Sequence, residues 1–381
     1  MEELEMIPIQ MAGPSVGDLE ASIIADAVLN GWYAPNAYKY VELFEAEFAK
    51  FHGRAFGLMT PNCTTAIHLV LAGLGIGPGD EVIAPESTWV GSTAGINHTG
   101  ANTVFADIEE ETWCISADSA RAATTPRTKA MIAVDLYGNM PKWESLLEYS
   151  DETGVMLIED AAEALGSRYK DVPAGKYGQA SVFSFHRTKT LTTGEGGMLL
   201  TDDHKLFERC RFLRDHGRSP GTYWNTELAY KYMPSNIQAA LGHGQFLRIE
   251  ELIQIKRDSF LRYKSKLGEN RSLQLNLETM DLFNGAWATT VVFGRETGLT
   301  SRLMLEELPK RGVPVRPFFF PLSSLPAYST NTSGGSSRNP IAYDVAKRGI
   351  HLPCAMNLTT DQIDYISDSL LAVLATHTSQ F

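Results

Sequence analysis

Between about residue 55 and residue 205 the chain alternates short apolar runs with helical stretches, and this alternation restricts the fold more than any other feature. The runs are Glu81–Ala84, Thr103–Phe105, Ala130–Val134, Val155–Ile158, Ser181–Phe185 and Gly197–Leu200. Each has strand length and is bounded by turn residues. Helical patterns lie between several of them: 64–74, closed by the turn Gly77-Pro78-Gly79-Asp80, and Lys142–Thr153. Strands alternating with helices predict an α/β fold with a mostly parallel sheet covered on both faces. Beyond it, Asn236 to about Leu267 reads as one long helix, Trp287–Phe293 as strand, and Asp361–Thr376 as a closing amphipathic helix. Ser329–Asn339, rich in Ser, Gly and Asn, reads as a mobile loop. The expected division is 1–250, a large unit with an N-terminal arm, and 251–381, a smaller α+β unit.

Charge and cysteine usage exclude several function classes. A net charge of -12 repels phosphate backbones, and no basic patch offsets it, so nucleic acid is not an expected partner. Cys63, Cys114, Cys210 and Cys354 are far apart with no CxxC pair, so neither a zinc site nor a disulfide framework is expected. No basic-then-apolar leader is present, and no apolar run nears the roughly 18 residues of a membrane span. Cytoplasmic location without membrane contact is the expectation. No G-x-G-x-x-G joins a strand to a helix near the start, which sets aside a dinucleotide oxidoreductase.

Four segments carry chemistry. Ser181–Thr201 presents Lys189 on a polar loop after a strand, followed by Gly194-Glu195-Gly196-Gly197. A lysine that bonds to a carbonyl needs burial or nearby positive charge, and His186 and Arg187 supply part of it; otherwise it is a solvated loop lysine. In Val155–Ser167, Asp160 closes a strand and opens a small-residue helix start, where ligands of open α/β sheets bind. It is either a cofactor partner or a helix cap. Pro61–Ala66 stands before a helix whose free amides suit an anion, with Cys63, Thr64 and Thr65 there. Trp89 follows another strand, placed to stack on a flat ring or to fill the core. Ser184, between Phe183 and Phe185, either reaches a phosphate or faces the other side of the sheet. Arg316 suits a bidentate anion or a structural ion pair.

In order and spacing these segments resemble the DegT/DnrJ/EryC1/StrS family of sugar aminotransferases. The likeness runs from Gly31-Trp32-Tyr33 and Gly75–Ile83 through Asp160-Ala161-Ala162-Glu163-Ala164 and Lys189. It continues through Arg214–Gly217 and Ser235–Gly242 to Arg316-Pro317-Phe318-Phe319. The resemblance implies a fold-type I, aspartate-aminotransferase-like pyridoxal 5'-phosphate (PLP) enzyme with a seven-stranded sheet, acting as a homodimer with active sites at the subunit interface. It implies Lys189 as the Schiff-base lysine and Asp160 as the partner of the pyridine nitrogen. Trp89 resembles the stacking ring, Glu163 a neighbour of the cofactor, and Cys63, Thr64, Ser184 and Lys231 phosphate contacts. Arg316, Trp32 and His186 are the substrate candidates. The implied reaction carries an amino group from an amino acid, L-glutamate, to a nucleotide-linked 4-keto-6-deoxy sugar. The rival readings are a sugar dehydratase of the same family, whose members carry histidine in place of the lysine, and a non-catalytic PLP-binding regulator. Cys63 stands where glycine is frequent, His186-Arg187 where small or amide residues are, Lys231 where many relatives carry Asn, and Ser323-Ser324 where relatives often have His.

Overall fold

The computed structural model describes residues 8–219, 221–331 and 333–378. The seven strands of its large sheet, labelled in chain order, are β1 (Phe56–Thr60), β2 (Glu81–Pro85), β3 (Asn102–Ala106), β4 (Thr128–Val134), β5 (Met156–Asp160), β6 (Ala180–Ser184) and β7 (Gly197–Thr201). Their spatial order is β1-β7-β6-β5-β4-β2-β3. Pairing is parallel from β3 across to β6, and β7 runs antiparallel to both its neighbours. The expected mostly parallel sheet is therefore observed.

Strand β4 shows why these segments read as unbroken apolar runs. Met131 and Ala133 enter one core layer, with Phe44, Phe48, Trp143 and Phe183. Ala130, Ile132 and Val134 enter the opposite layer, with Leu69, Val82 and Trp113. Side chains alternate across a strand, so a sheet covered on both faces needs apolar residues at every position. A second, four-stranded sheet joins Leu273–Leu275, Thr290–Phe293, Gly349–His351 and Arg316–Pro317. It packs with the helices Ile249–Leu267 and Thr360–Thr378 around Tyr263, Phe293, Ile350 and Ile366. Among the described residues no helix is long and apolar enough to cross a membrane.

Three expectations need correction. The single helix from 236 to 267 is two, Asn236–Phe246 and Ile249–Leu267. Gly242 lets the first lie close on the helix Lys39–Phe51, since a Cβ there would sit 2.6 Å from a Phe44 ring carbon. The break is then held by buried Glu20, which accepts from Gln245 at 2.6 Å and from Arg248 at 2.8 Å. The segment after Asp160 is a pair of turns, not a helix start, and Gly166 passes through φ 88° there. Of Ser329–Asn339, residue 332 lies outside the described residues, and the rest is pinned. Asn331 donates to the Thr103 carbonyl at 2.7 Å, Ser333 accepts the Phe105 amide at 3.0 Å, and Asn339 donates to Glu86 at 2.5 Å. Buried Glu86 also accepts the Ser323 amide at 2.7 Å. Composition predicts mobility here; hydrogen bonds to residues some 230 positions away in sequence override it.

Candidate active site

The carboxyl ends of β4 and β5 and the loop after β6 bring the chemistry-bearing residues together. Asp160, last in β5, is 2% exposed. Its Oδ2 accepts the Ser92 hydroxyl at 2.7 Å, and Ser92 in turn lies 3.0 Å from the Thr88 hydroxyl. Its Oδ1 accepts the Ala162 amide at 3.1 Å, with the Cys63 thiol 3.9 Å away. Burial raises the Asp160 carboxyl above its ordinary range, opposed first by the Ser92 hydrogen bond, then by the Ala162 amide and the Lys189 charge. The donors favour the anion and partly offset what burial does.

Lys189 reaches Glu163 Oε1 at 3.1 Å, and Glu163 Oε2 accepts the Tyr137 amide at 3.0 Å. Tyr137 delivers that amide from a left-handed backbone, φ 55°, which a bulky residue adopts only under constraint. The Lys189 ammonium also sits 3.8 Å from the centre of the Trp287 ring. Trp287 and Tyr137 are parallel, 6.1 Å apart, and Tyr137 stacks on Phe319 at 5.1 Å. Phe319 lies 6.0 Å from Trp89, which is 62% exposed.

The helix Cys63–Gly73 begins beside this cluster. Asn62 caps it, its side chain taking the Thr65 amide at 2.9 Å and its carbonyl the Ala66 amide. The amides of Cys63 and Thr64 have no acceptor among the described residues, as expected for a helix start open to an anion. Strand β7 passes directly beneath: a Cβ at Gly197 would lie 2.5 Å from the Asn62 carbonyl carbon, so only glycine admits the helix this close. A phosphate-accepting helix start, a buried carboxylate, an amine and an exposed ring in one cleft fit a phosphorylated pyridine aldehyde.

Of the residues picked from sequence, the structure joins Lys189 to Glu163 and Asp160 to Cys63, and the Lys189 charge acts on Asp160 and Cys63. Thr64 adjoins it, its hydroxyl 3.0 Å from where a Gly91 Cβ would be, with the Trp89 ring equally close to that point. Ser184 closes β6, its hydroxyl 3.4 Å from the His186 amide. His186 contacts the Thr188 hydroxyl at 2.9 Å and faces Glu195 at 3.8 Å. Arg316 is exposed and is the strand partner of His351. Two candidates are not joined to the cluster within the chain: Lys231 pairs with Asp215 at 2.7 Å, and Trp32 donates to the Val28 carbonyl at 2.6 Å. Trp287, Ser92, Tyr137 and Asp135 were missed. Only the Thr88/Ser92 pair left a signal, two hydroxyls four positions apart just after a strand.

Asp135 and Glu159 lie behind Asp160, both fully buried. Glu159 accepts the Gly175 and Tyr177 amides at 2.7 and 2.8 Å, which satisfies it as an anion. The Asp135 oxygens receive no N–H or hydroxyl donor, and the Asp135 carboxyl meets that of Glu159. Burial, then the Glu159 charge, hold Asp135 well above the carboxylate range, while burial raises Glu159 to about 7. The pair holds a proton at neutral pH, and the two amides on Glu159 put that proton on Asp135. Unfolded, Asp135 loses it near pH ~3.9. Between that value and the higher folded one the native state binds the extra proton, so this contribution is complete at low pH and shrinks as pH rises. Asp135→Asn keeps the shape without the proton. Its unfolding free energy in urea should therefore fall less than that of the wild type as pH rises above about 4, the difference in slope reaching at most about 1.4 kcal/mol per pH unit. Parallel slopes would show that the proton is not there.

A doubly covered, mostly parallel sheet with a lysine, a buried aspartate and a helix start at one edge defines the aminotransferase architecture of fold type I. The chain belongs to the DegT/DnrJ/EryC1/StrS aminotransferase family, whose model matches residues 15–371. It is 33% identical to the GDP-perosamine synthase of Escherichia coli O157:H7 over 368 residues, covering 96% of this chain and 98% of that one. It is 34% identical to the GDP-perosamine synthase of Vibrio cholerae, again over 96% and 98%. A Streptococcus pneumoniae protein assigned as a sugar aminotransferase, in its PLP form, superposes with a TM-score of 0.88 at 26% identity, over 97% and 99% of the two chains.

Proposed function

We propose that this chain is a PLP-dependent aminotransferase that moves an amino group from L-glutamate to the ketone of a nucleotide-linked 4-keto-6-deoxy sugar, in the manner of a GDP-perosamine synthase. Pyridoxal 5'-phosphate is its cofactor. The observation that carries the reading is the Lys189 amine 3.1 Å from Glu163, at the sheet edge where buried Asp160 ends β5.

The roles follow from these positions. Lys189 would hold the cofactor covalently, Asp160 its protonated ring nitrogen, Trp89 a ring face, and the start of Cys63–Gly73, with Thr64 and Ser184, its phosphate. When bound, the cofactor supplies an electron-withdrawing ring that stabilises charge on the carbon losing its proton. Lys189 Nζ takes that proton from the donor's α-carbon and returns one to the sugar carbon, which is general acid–base work by a positioned amine. Glu163 holds the free ammonium in reach between the two transfers. Exposed Arg316 donates as a fork to the carboxylate of the amino acid or to a substrate phosphate. Lys189 disfavours the dehydratase, and the acidic charge disfavours a nucleic-acid-binding regulator. Lys231 and Trp32 belong to a homodimer interface in this reading, where they serve the partner's site. The enzyme works in the cytoplasm.

The test is a panel of GDP-, UDP- and dTDP-keto sugars, each given with PLP and glutamate and read by mass, on protein whose dimeric state is checked by sedimentation. Exchange of ketone oxygen for amine with one nucleotide supports the reading; dehydration, or no half-reaction with any amino acid, overturns it.

A further inference from the structure

We propose that Trp287 is a positioning residue for Lys189, holding the free ammonium over its ring and fixing the turn that presents it. The inference rests on Lys189 being the cofactor lysine, and it assigns work to a residue about a hundred positions away.

Trp287 touches the Lys189 amine and the backbone just before it. Its ring lies 3.8 Å from the ammonium, and its indole N–H donates at 2.8 Å to the carbonyl of Thr188, the residue before the lysine. A cation over the face of a tryptophan is attracted by the ring's negative π surface, more so where water is excluded. Here Trp287 is 6% exposed. Glu163 supplies the opposite contact, so the ammonium is held between a carboxylate and an aromatic face.

The support behind the ring is rigid. The Ser167 hydroxyl accepts the Gly285 amide at 2.8 Å, and Asn284 donates to Asn139 at 2.8 Å. A Cβ at Gly285 would sit 2.4 Å from the Leu165 carbonyl oxygen, so this segment is clamped to the turn after β5. Other groups facing Lys189 are Asp160 and Cys63 at the sheet edge, His186 in its own loop and Lys256 on the helix Ile249–Leu267. His351, with Arg316 beside it, completes the set. Burial pushes His351 down to about 3 and lowers Lys256, so His351 brings no charge against the ammonium. The Trp287 face and the Glu163 carboxylate both favour the charged amine, and the ring does so without bringing a formal charge of its own.

The test uses Trp287→Phe, which keeps a ring face and loses the N–H, and Trp287→Leu, which loses both. On cofactor-free protein carrying 13C-lysine, the Lys189 ε-methylene signal, assigned by its loss in Lys189→Ala, should be moved upfield by the ring current. It should stay so in Trp287→Phe and return to the ordinary lysine position in Trp287→Leu. On adding PLP, covalent attachment followed by absorbance should slow about ten-fold or more in Trp287→Leu and about three-fold or less in Trp287→Phe. An ordinary Lys189 signal in the wild type, or wild-type attachment by Trp287→Leu, overturns the proposal. If Trp287→Leu does not fold, the wild-type and Trp287→Phe signals still decide it. Borohydride reduction and peptide mapping separate the two readings: PLP fixed to another lysine overturns the assignment of Lys189 itself.

Discussion

Lys189→Ala should fold, bind PLP without covalent attachment, and show no measurable amino transfer, a loss of at least about 10⁴-fold. A positioned acid–base group contributes about 10²–10⁴-fold alone, and in the proposed reading Lys189 is also the attachment point. Folding should survive because Lys189 lies on the loop after β6, outside the apolar layers on either face of the sheet, although its side chain is only 14% exposed. The neighbour that suffers is Glu163, 5% exposed, whose carboxyl burial already raises and the Lys189 charge pulls back. Without the ammonium Glu163 takes up a proton instead of staying charged in the interior. Lys189→Arg separates charge from chemistry: it should restore the ion pair and leave transfer absent. Retention of the cofactor's covalent absorbance, or turnover within ten-fold of wild type in either variant, would remove Lys189 from its role.

Asp160→Asn comes next in size. The amide keeps the shape and an oxygen for the Ser92 hydroxyl, but loses the charge that, in the proposed reading, holds a protonated ring nitrogen. The half-reaction with L-glutamate, followed in a single turnover, should slow by about 10²–10³-fold, the scale of removing one oriented electrostatic partner. Ser92→Ala gives the internal control. Only one hydrogen bond to Asp160 is lost, of about 1.5–3 kcal/mol for a charged acceptor, so its effect should be well below that of Asp160→Asn while the Thr88 hydroxyl remains. Equal effects would mean that Asp160 acts through the packing of the cleft and not through its charge.

Where the chemistry sits along the chain decided what was legible beforehand. Asp160 is readable because it ends an apolar strand run, and a parallel sheet gathers such ends on one edge. Lys189 is readable because the loop that carries it lies between two strand runs with a glycine turn. Trp287 is not: its neighbours Ala288 and Thr289 read as strand, and nothing local says that its ring meets a lysine in the loop between β6 and β7. Asp135 is hidden differently, since a carboxyl after a strand looks solvated until the facing Glu159 is seen to take its hydrogen bonds elsewhere. The helix break at 247–248 and the pinned 329–339 segment share one feature. In each a buried carboxylate from a distant part of the chain takes part, Glu20 at the break and Glu86 at Asn339, and local composition carries no trace of that.

Glu86 has a practical consequence for anyone exchanging this segment between relatives. The stretch from Ser323 to Asn339 resembles a freely exchangeable surface insert, yet its two ends share one sunken anion, and Gly334 stands where a Cβ would lie 2.7 Å from that anion's oxygen. A transplanted insert without a donor at 339 and a small residue at 334 would leave the anion short of a partner or collide with it. Glu86, Gly334 and Asn339 therefore have to travel as one cassette.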